Sequence, residues 1–383
     1  MYQITWNRKL IYGPASLEKV GELAASFGRK ALLVTGRNSA RQSGILGKVQ
    51  GFLDSSKVSS VVFNQVSVNP SVKIVDECAS LGKENNCDVV IGLGGGSSLD
   101  TAKAASVLMT NPGSIKRYLE TGAAREKIKT PCLAMIAIPT TAGTGSEITK
   151  NAVINDPEQS MKVSVRDDRL VPKAAILDPS LLSTAPKNII AAAAMDALTQ
   201  LMEPFTGKNS QPVIDTLALD GIKKINDNII GFYQDPSDRK AGMDLLLASY
   251  YSGLALAHSG LGAVHALSRP FGGLYGLGHG LVCAILLPYI TELNCHFNIK
   301  KYAEIGIALG LDEKLPEKAR AQMVPERIFT LNQNLGIPSD LKQFHLPEKD
   351  ADRIIQDSQG SSLKNNPREF TREEMKELLL RLI

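Results

Sequence analysis

The chain has 383 residues, 43% of them hydrophobic and 21% charged, a balance that excludes disordered and fibrous classes and allows two domains. Basic residues exceed acidic ones by only 43 − 39 = 4 and are scattered, and aromatics are sparse, so no nucleic-acid partner is expected. Five cysteines without C-x-x-C spacing, no apolar N-terminal stretch and no apolar run of membrane-spanning length lead us to expect reduced thiols, a cytoplasmic location and no membrane partner.

In chain order, short β-branched runs alternate with helical patterns. "KALLVT" (30–35), "SSVVF" (59–63), "CDVVIGL" (87–93), "CLAMIAIP" (132–139) and "AAILD" (174–178) read as buried parallel strands. Helical patterns at 17–27, 40–54, 71–85 and 98–109 alternate with the first of them, and "NAVIND" with "KVSVRD" (151–156, 162–167) reads as a hairpin. Such βαβ alternation predicts a parallel, Rossmann-like sheet covered on both faces. After "DPSLLSTAP" (178–186) the pattern turns helical, at 187–206, 211–231, 238–259, 280–295, 299–309, 317–335 and 371–382. The expected fold is therefore an α/β domain over 1–185 followed by an all-α domain over 186–383, with "GSSLKNNP" (360–367) as a surface turn.

Five stretches carry chemistry. "DVVIGLGGGSSLDTAK" (88–103) runs from a strand through Gly94, Gly95, Gly96, Ser97 and Ser98 into a helix, a turn that lets backbone and helix N-terminus approach a phosphate. It is no Walker loop, and Ser97 stands where the G-x-G-x-x-G fingerprint has its third glycine. "IPTTAGTGSE" (138–147) is a second polar loop after a strand, where open α/β sheets bind ligands. After the first strand, Gly36, Arg37 and Arg41 stand where a carboxylate would select against a 2′-phosphate, which favours NADP over NAD. In "MDALTQLMEPF" (195–205), Asp196 and Gln200 share one helical face amid apolar neighbours. Three of the five histidines, His258, His265 and His279, fall within 258–280, and the rings of His265 and His279 with Asp196 suit Zn²⁺ or Fe²⁺.

These motifs, with "GLGAVHALSRPFGGLYGLGHGLVCAILLP", resemble in order and spacing the iron-containing (group III) alcohol dehydrogenase family over nearly the whole chain. The resemblance implies a dehydroquinate synthase-like architecture and at least a homodimer. It implies that Gly95, Gly96 and Ser97 bind the pyrophosphate of NAD(P). It further implies that Asn69, Asp100, Thr140, Thr141, Thr144, Asn151 and Lys162 line the rest of the dinucleotide. Asp196, His265 and His279 match metal ligands. Gln200 stands where the family usually has a fourth ligand, histidine, and Arg269 stands where a second histidine often follows His265. His258 replaces an apolar aromatic.

A glutamine ligates through a harder, weaker oxygen than an imidazole nitrogen. Arg269 is a permanent cation that offers either a hold on an anionic substrate group or a structural ion pair. The expected activity is reversible oxidation of a primary or short-chain alcohol to its aldehyde or ketone. A metal would act as Lewis acid, with hydride passing to or from the nicotinamide and His258 available for the proton. Two rivals are a dehydroquinate synthase-like lyase using metal and NAD, and a nucleotide-binding protein without turnover.

Overall fold

A computed structural model describes residues 2–120, 125–156 and 161–383. The chain divides into two compact units, Ile4–Thr141 with Gly145–Ala185, and Pro186–Ile383 with Ala142–Thr144.

The first unit is built on strands β1 (Lys9–Tyr12), β2 (Lys30–Gly36), β3 (Ser59–Val66), β4 (Val89–Gly94), β5 (Ala134–Pro139) and β8 (Ala174–Leu177). All pair in parallel, in the order β1-β8-β5-β4-β2-β3. The pair β6 (Asn151–Asp156) and β7 (Met161–Arg166) forms a separate antiparallel hairpin, as expected. Between the sheet strands run α1 (Val20–Ala25), α2 (Ser39–Gln42), α3 (Ile45–Ser55), α4 (Val72–Glu84) and α5 (Gly96–Leu108).

Alternation along each strand sends its side chains to two different cores. Leu32, Val34 and Val90 join one with α4 and α5 residues such as Val75, Cys78, Leu99 and Ala102. Ala31, Leu33, Val89, Ile91 and Leu93 join the other with Val20 and Leu23 of α1 and Val49 and Leu53 of α3. With both faces buried, the strands read as unbroken apolar runs. β1, "KLIY", is a half-exposed edge strand that the apolar pattern did not reveal.

The second unit is helical: α6 (Lys187–Thr206), α7 (Pro212–Gln234), α8 (Arg239–Ser259), α9 (Ala263–Leu274), α10 (His279–Asn294), α11 (Ile299–Ala308), α12 (Glu317–Asn334), α13 (Ala351–Asp357), α14 (Ser361–Asn365) and α15 (Arg372–Leu382). α6 is buried along most of its length, from Ala194 through Thr206, so its polar side chains Asp196, Gln200 and Glu203 are buried with their apolar neighbours. No helix among the described residues is long and apolar enough to cross a membrane.

Residues 360–367, expected as a surface turn, instead contain α14 and a buried asparagine pair. The Asn365 amide donates to the Ser259 and Leu261 carbonyls, and its oxygen accepts from the Asn209 backbone. Asn366 exchanges hydrogen bonds with Asn294 on α10. Polar composition suggested solvent, but these amides satisfy loop backbone groups that have no helical partner.

Candidate functional site

In the sheet unit the chain passes from β3 back across β2 to form β4, so connections leave β2 and β4 in opposite directions. The ends of that strand pair are where open α/β sheets take ligands. Gly36 closes β2 there, with Arg37 and Arg41 exposed just beyond it.

β4 closes beside it on Gly94, whose φ of +145° demands glycine, and Gly95 caps the 13-residue helix α5. A Cβ on Gly94 would stand 2.6 Å from Ser98 Oγ, so the turn tolerates no side chain there. Asn69, itself at φ +57°, donates its backbone N–H to Ser97 Oγ at 3.3 Å. Thr140 donates its N–H to the Gly94 carbonyl, and the Thr141 side chain lies against Gly95.

Asp100 is engaged by the protein itself, accepting from Ser146 Oγ at 2.6 Å and Val153 N at 3.0 Å. Asn151 begins β6, where its carbonyl accepts from the buried Lys103 ammonium. Lys162 sits on β7 opposite Asn155, and Thr144 is exposed and groups with the helical unit.

Glu147 and Lys103 are buried charges of this unit, at 1% and 0% exposure. Burial pushes the Glu147 carboxyl up to about 7 against the pull of Lys103, and it pushes the Lys103 ammonium down to about 8 against Asp100 and Glu147.

The helical unit assembles the second group. Asp196 and Gln200 project from one face of α6, His265 from the first turn of α9, and His279 opens α10. Asp196 Oδ1 lies 3.5 Å from His265 Nε2 and 3.7 Å from His279 Nε2. The two imidazole rings stand 5.3 Å apart between centroids.

Two residues outside the sequence-based set complete the arrangement. Glu203, one turn beyond Gln200 on the same face of α6, accepts from His265 Nδ1 at 2.6 Å. It also accepts from the Gly262 N–H at 2.8 Å and the Val264 N–H at 2.6 Å, capping α9 while fixing the His265 ring. Gly262 permits this approach, since a Cβ there would meet Glu203 Oε1 at 2.9 Å. Cys283, one turn after His279 on α10, brings its Sγ to 3.7 Å from His279 Nε2. The i, i+3 and i, i+4 spacings were the available signals for both, and both were hidden among apolar neighbours.

The electrostatics follow from burial. Asp196 Oδ1 and His265 Nε2 are buried and face each other at 3.5 Å, an ion-pair distance, without a well-formed hydrogen bond between them. With Glu203 holding Nδ1, Nε2 is the atom left to meet a cation. Burial alone would raise the Asp196 carboxyl, but His279, His265 and hydrogen bonding from Gln200 hold it below the usual carboxylate range. Burial lowers His265, yet Glu203 and Asp196 bring it up to about 9. Burial and the Asp196 and Glu203 carboxylates push the Cys283 thiol up. Asp196, His265, His279 and Cys283 each bring one ligating atom within 4.8 Å of the others, which fits a single divalent ion.

The remaining candidates have partners of their own. Gln200 Oε1 accepts from Ser252 Oγ at 3.3 Å. His258 lies partly buried in the last turn of α8, its carbonyl accepting from the Gln211 amide. Arg269 is exposed, and its guanidinium donates to the Asp357 carbonyl, which ties α9 to α13. That bond goes to a backbone carbonyl, not to the carboxylate of the ion pair expected as one of the two roles for Arg269.

Residues 7–179 match the family model for iron-containing alcohol dehydrogenase, and residues 190–383 match its C-terminal counterpart. The chain belongs to the iron-containing alcohol dehydrogenase family. It is 33% identical over 368 residues to Alcohol dehydrogenase 4 of Saccharomyces cerevisiae, covering 95% of this chain and 94% of that one. It is 32% identical to the lactaldehyde reductase of Escherichia coli K12, covering 91% of each. The crystal structure of a 1,3-propanediol oxidoreductase superposes with a TM-score of 0.95 at 29% identity, over 100% of this chain and 99% of that one. As a member of this family the protein is a metal-dependent, NAD(P)-linked oxidoreductase that interconverts alcohols and aldehydes.

Proposed function

We propose that the substrate is a primary or short-chain alcohol and its aldehyde or ketone. In this reading NADP is the favoured nicotinamide, and Asp196, His265 and His279 hold a divalent metal, Zn²⁺ or Fe²⁺. The observation that carries the metal assignment is the pair of buried atoms Asp196 Oδ1 and His265 Nε2, 3.5 Å apart. A buried carboxylate and imidazole with no well-formed hydrogen bond between them offer negative charge and a nitrogen donor that a shared cation can take up. When bound, a divalent cation supplies Lewis acidity and a nicotinamide supplies hydride transfer.

The chain's own residues do the rest. Glu203 holds Nδ1–H of His265, so the ring presents Nε2 inward, and its bonds to the α9 N-terminus lock that orientation. The Gly94–Gly96 turn offers backbone N–H groups and the start of α5 to a pyrophosphate, beside Ser97 and Asn69. Arg37 and Arg41 offer exposed charge for a 2′-phosphate next to Gly36, where no carboxylate opposes it. Thr140, Thr141, Thr144, Asp100, Asn151 and Lys162 belong to the proposed nucleotide set through the family match. His258 belongs as a titratable group for the proton that accompanies hydride transfer.

The relatives named for lactaldehyde and 1,3-propanediol support a short substrate. The proposal includes a cytoplasmic setting and a homodimer or larger homo-oligomer, the latter read by light scattering.

The test is a panel of short alcohols and aldehydes, assayed with NADPH and NADH on protein of known metal content. Net NADPH oxidation by a short aldehyde, faster than NADH oxidation, is the expected result. No net oxidation of either nucleotide across the panel would defeat the reading.

A further inference from the structure

Two side chains could supply a fourth donor beside Asp196, His265 and His279. They are Gln200, one turn after Asp196 on α6, and Cys283, one turn after His279 on α10. Each shares a helical face with a proposed ligand. Their surroundings differ.

The one Gln200 atom able to ligate, Oε1, accepts from Ser252 Oγ at 3.3 Å, and Gln200 also hydrogen-bonds Asp196. Gln200 thereby braces a ligand from outside. Cys283 Sγ lies within 4.8 Å of the ligating atoms of Asp196, His265 and His279, and it stands 3.7 Å from His279 Nε2. Bond lengths of about 2.0–2.1 Å to nitrogen and 2.3 Å to sulfur place neighbouring tetrahedral donors roughly 3.3–3.6 Å apart. The separations of 3.5 Å (His265 to Asp196), 3.7 Å (His279 to Asp196) and 3.7 Å (Cys283 to His279) lie close to those edges, and the other three pairs lie within 4.8 Å.

The cysteine does not stand alone. Asp196 Oδ1 and His265 Nε2, on residues 3% and 6% exposed and without a well-formed hydrogen bond, belong to residues of the same close group. Ser268 Oγ accepts from Cys283 at 3.3 Å and lies 3.4 Å from His279 Nδ1, so one hydroxyl steadies both donors.

We infer that Cys283 is the fourth metal ligand of this protein and that Gln200 is not a ligand. The inference rests on the metal assignment proposed above. It makes the donor set one oxygen, two nitrogens and one sulfur, which shifts preference from oxygen-loving ions toward Zn²⁺ and Co²⁺. Thiolate ligation releases the cysteine proton to solvent as the ion enters. Catalytic zinc sites can expand to five-coordination, so four protein donors still leave a position for the substrate oxygen.

The test uses the full-length protein, stripped of metal and reloaded with Co²⁺ or Zn²⁺. The cobalt form should show a near-ultraviolet sulfur-to-cobalt charge-transfer band. The zinc form should show one sulfur scatterer at about 2.3 Å by X-ray absorption. Cys283→Ser should abolish the band and weaken cobalt binding by at least about tenfold, the lower end of what even an outer partner is worth. Gln200→Ala should keep the band. Circular dichroism of Cys283→Ser checks its fold, and the X-ray absorption of the unaltered protein answers the question without any variant.

Zinc or cobalt bound without sulfur, or a band that survives Cys283→Ser, would overturn the cysteine assignment while leaving the metal reading standing. No uptake of either ion by the unaltered protein would overturn both.

Discussion

At the scale of single residues, Glu203 does two jobs with one carboxylate, since it caps α9 and holds Nδ1 of His265. Glu203→Gln places amide hydrogens against backbone N–H groups it now accepts from. Metal affinity, read by competition with a chromophoric chelator, should fall by about 10–100-fold. Stability in denaturant titration should fall by about 1–3 kcal/mol. Unchanged affinity would remove Glu203 from the metal centre.

Glu147 is a separate case in the sheet unit, because its folded pKa is raised from 4.5 to about 7. A raised folded pKa means that the group's stabilising contribution is complete below about pH 4.5 and is lost as pH rises through about 7. The difference in unfolding free energy between the parent and Glu147→Gln should therefore change over that window, by something on the order of 3 kcal/mol at full amplitude. A pH-independent difference would show that Glu147 is not held protonated.

At the scale of elements, the asparagine pair at the end of α14 ties together the loop from α8 to α9, the end of α6 and α10. Asn365→Ala leaves the Ser259 and Leu261 carbonyls and the Asn209 N–H without that partner. Each buried group left unpaired costs about 1–3 kcal/mol. Urea unfolding should show a loss in that range or above, and a loss below about 0.5 kcal/mol would mean that the segment is the surface turn its composition suggests.

The contrast shows which elements were legible in the sequence. Sheet strands buried on both faces announce themselves as apolar runs, and Gly94 through Ser98 mark the turn that follows one of them. β1 was missed because a four-residue edge strand carries no such run. α14 was missed because buried amides look like solvent-facing ones until their partners are known. Asp196, His265 and His279 were legible as rare polar residues in apolar or glycine-rich surroundings. Glu203 and Cys283 were not, since a lone carboxylate or thiol at helical spacing becomes informative only once the helices are packed.

At the scale of the whole molecule, the sheet unit supplies the turn proposed to bind phosphate and the helical unit the buried group proposed to hold a metal. Each was readable separately, and the family match over both halves joins them into one enzyme. If Arg37 holds a 2′-phosphate, Arg37→Ala should raise the KM for NADPH while leaving that for NADH nearly unchanged. A charge-assisted contact of about 1.5–3 kcal/mol corresponds to roughly 10–100-fold. Equal effects on the two nucleotides would contradict the NADP assignment.

The central claim is that a divalent metal in the helical unit is required for turnover. Chelated protein, shown free of metal by elemental analysis, should lose aldehyde reduction by at least roughly 100-fold, the scale of several kcal/mol of Lewis-acid stabilisation. One equivalent of Zn²⁺ or Fe²⁺ per chain should restore it, and Asp196→Ala and His265→Ala should not be restored. Full activity in verified metal-free protein would contradict the account.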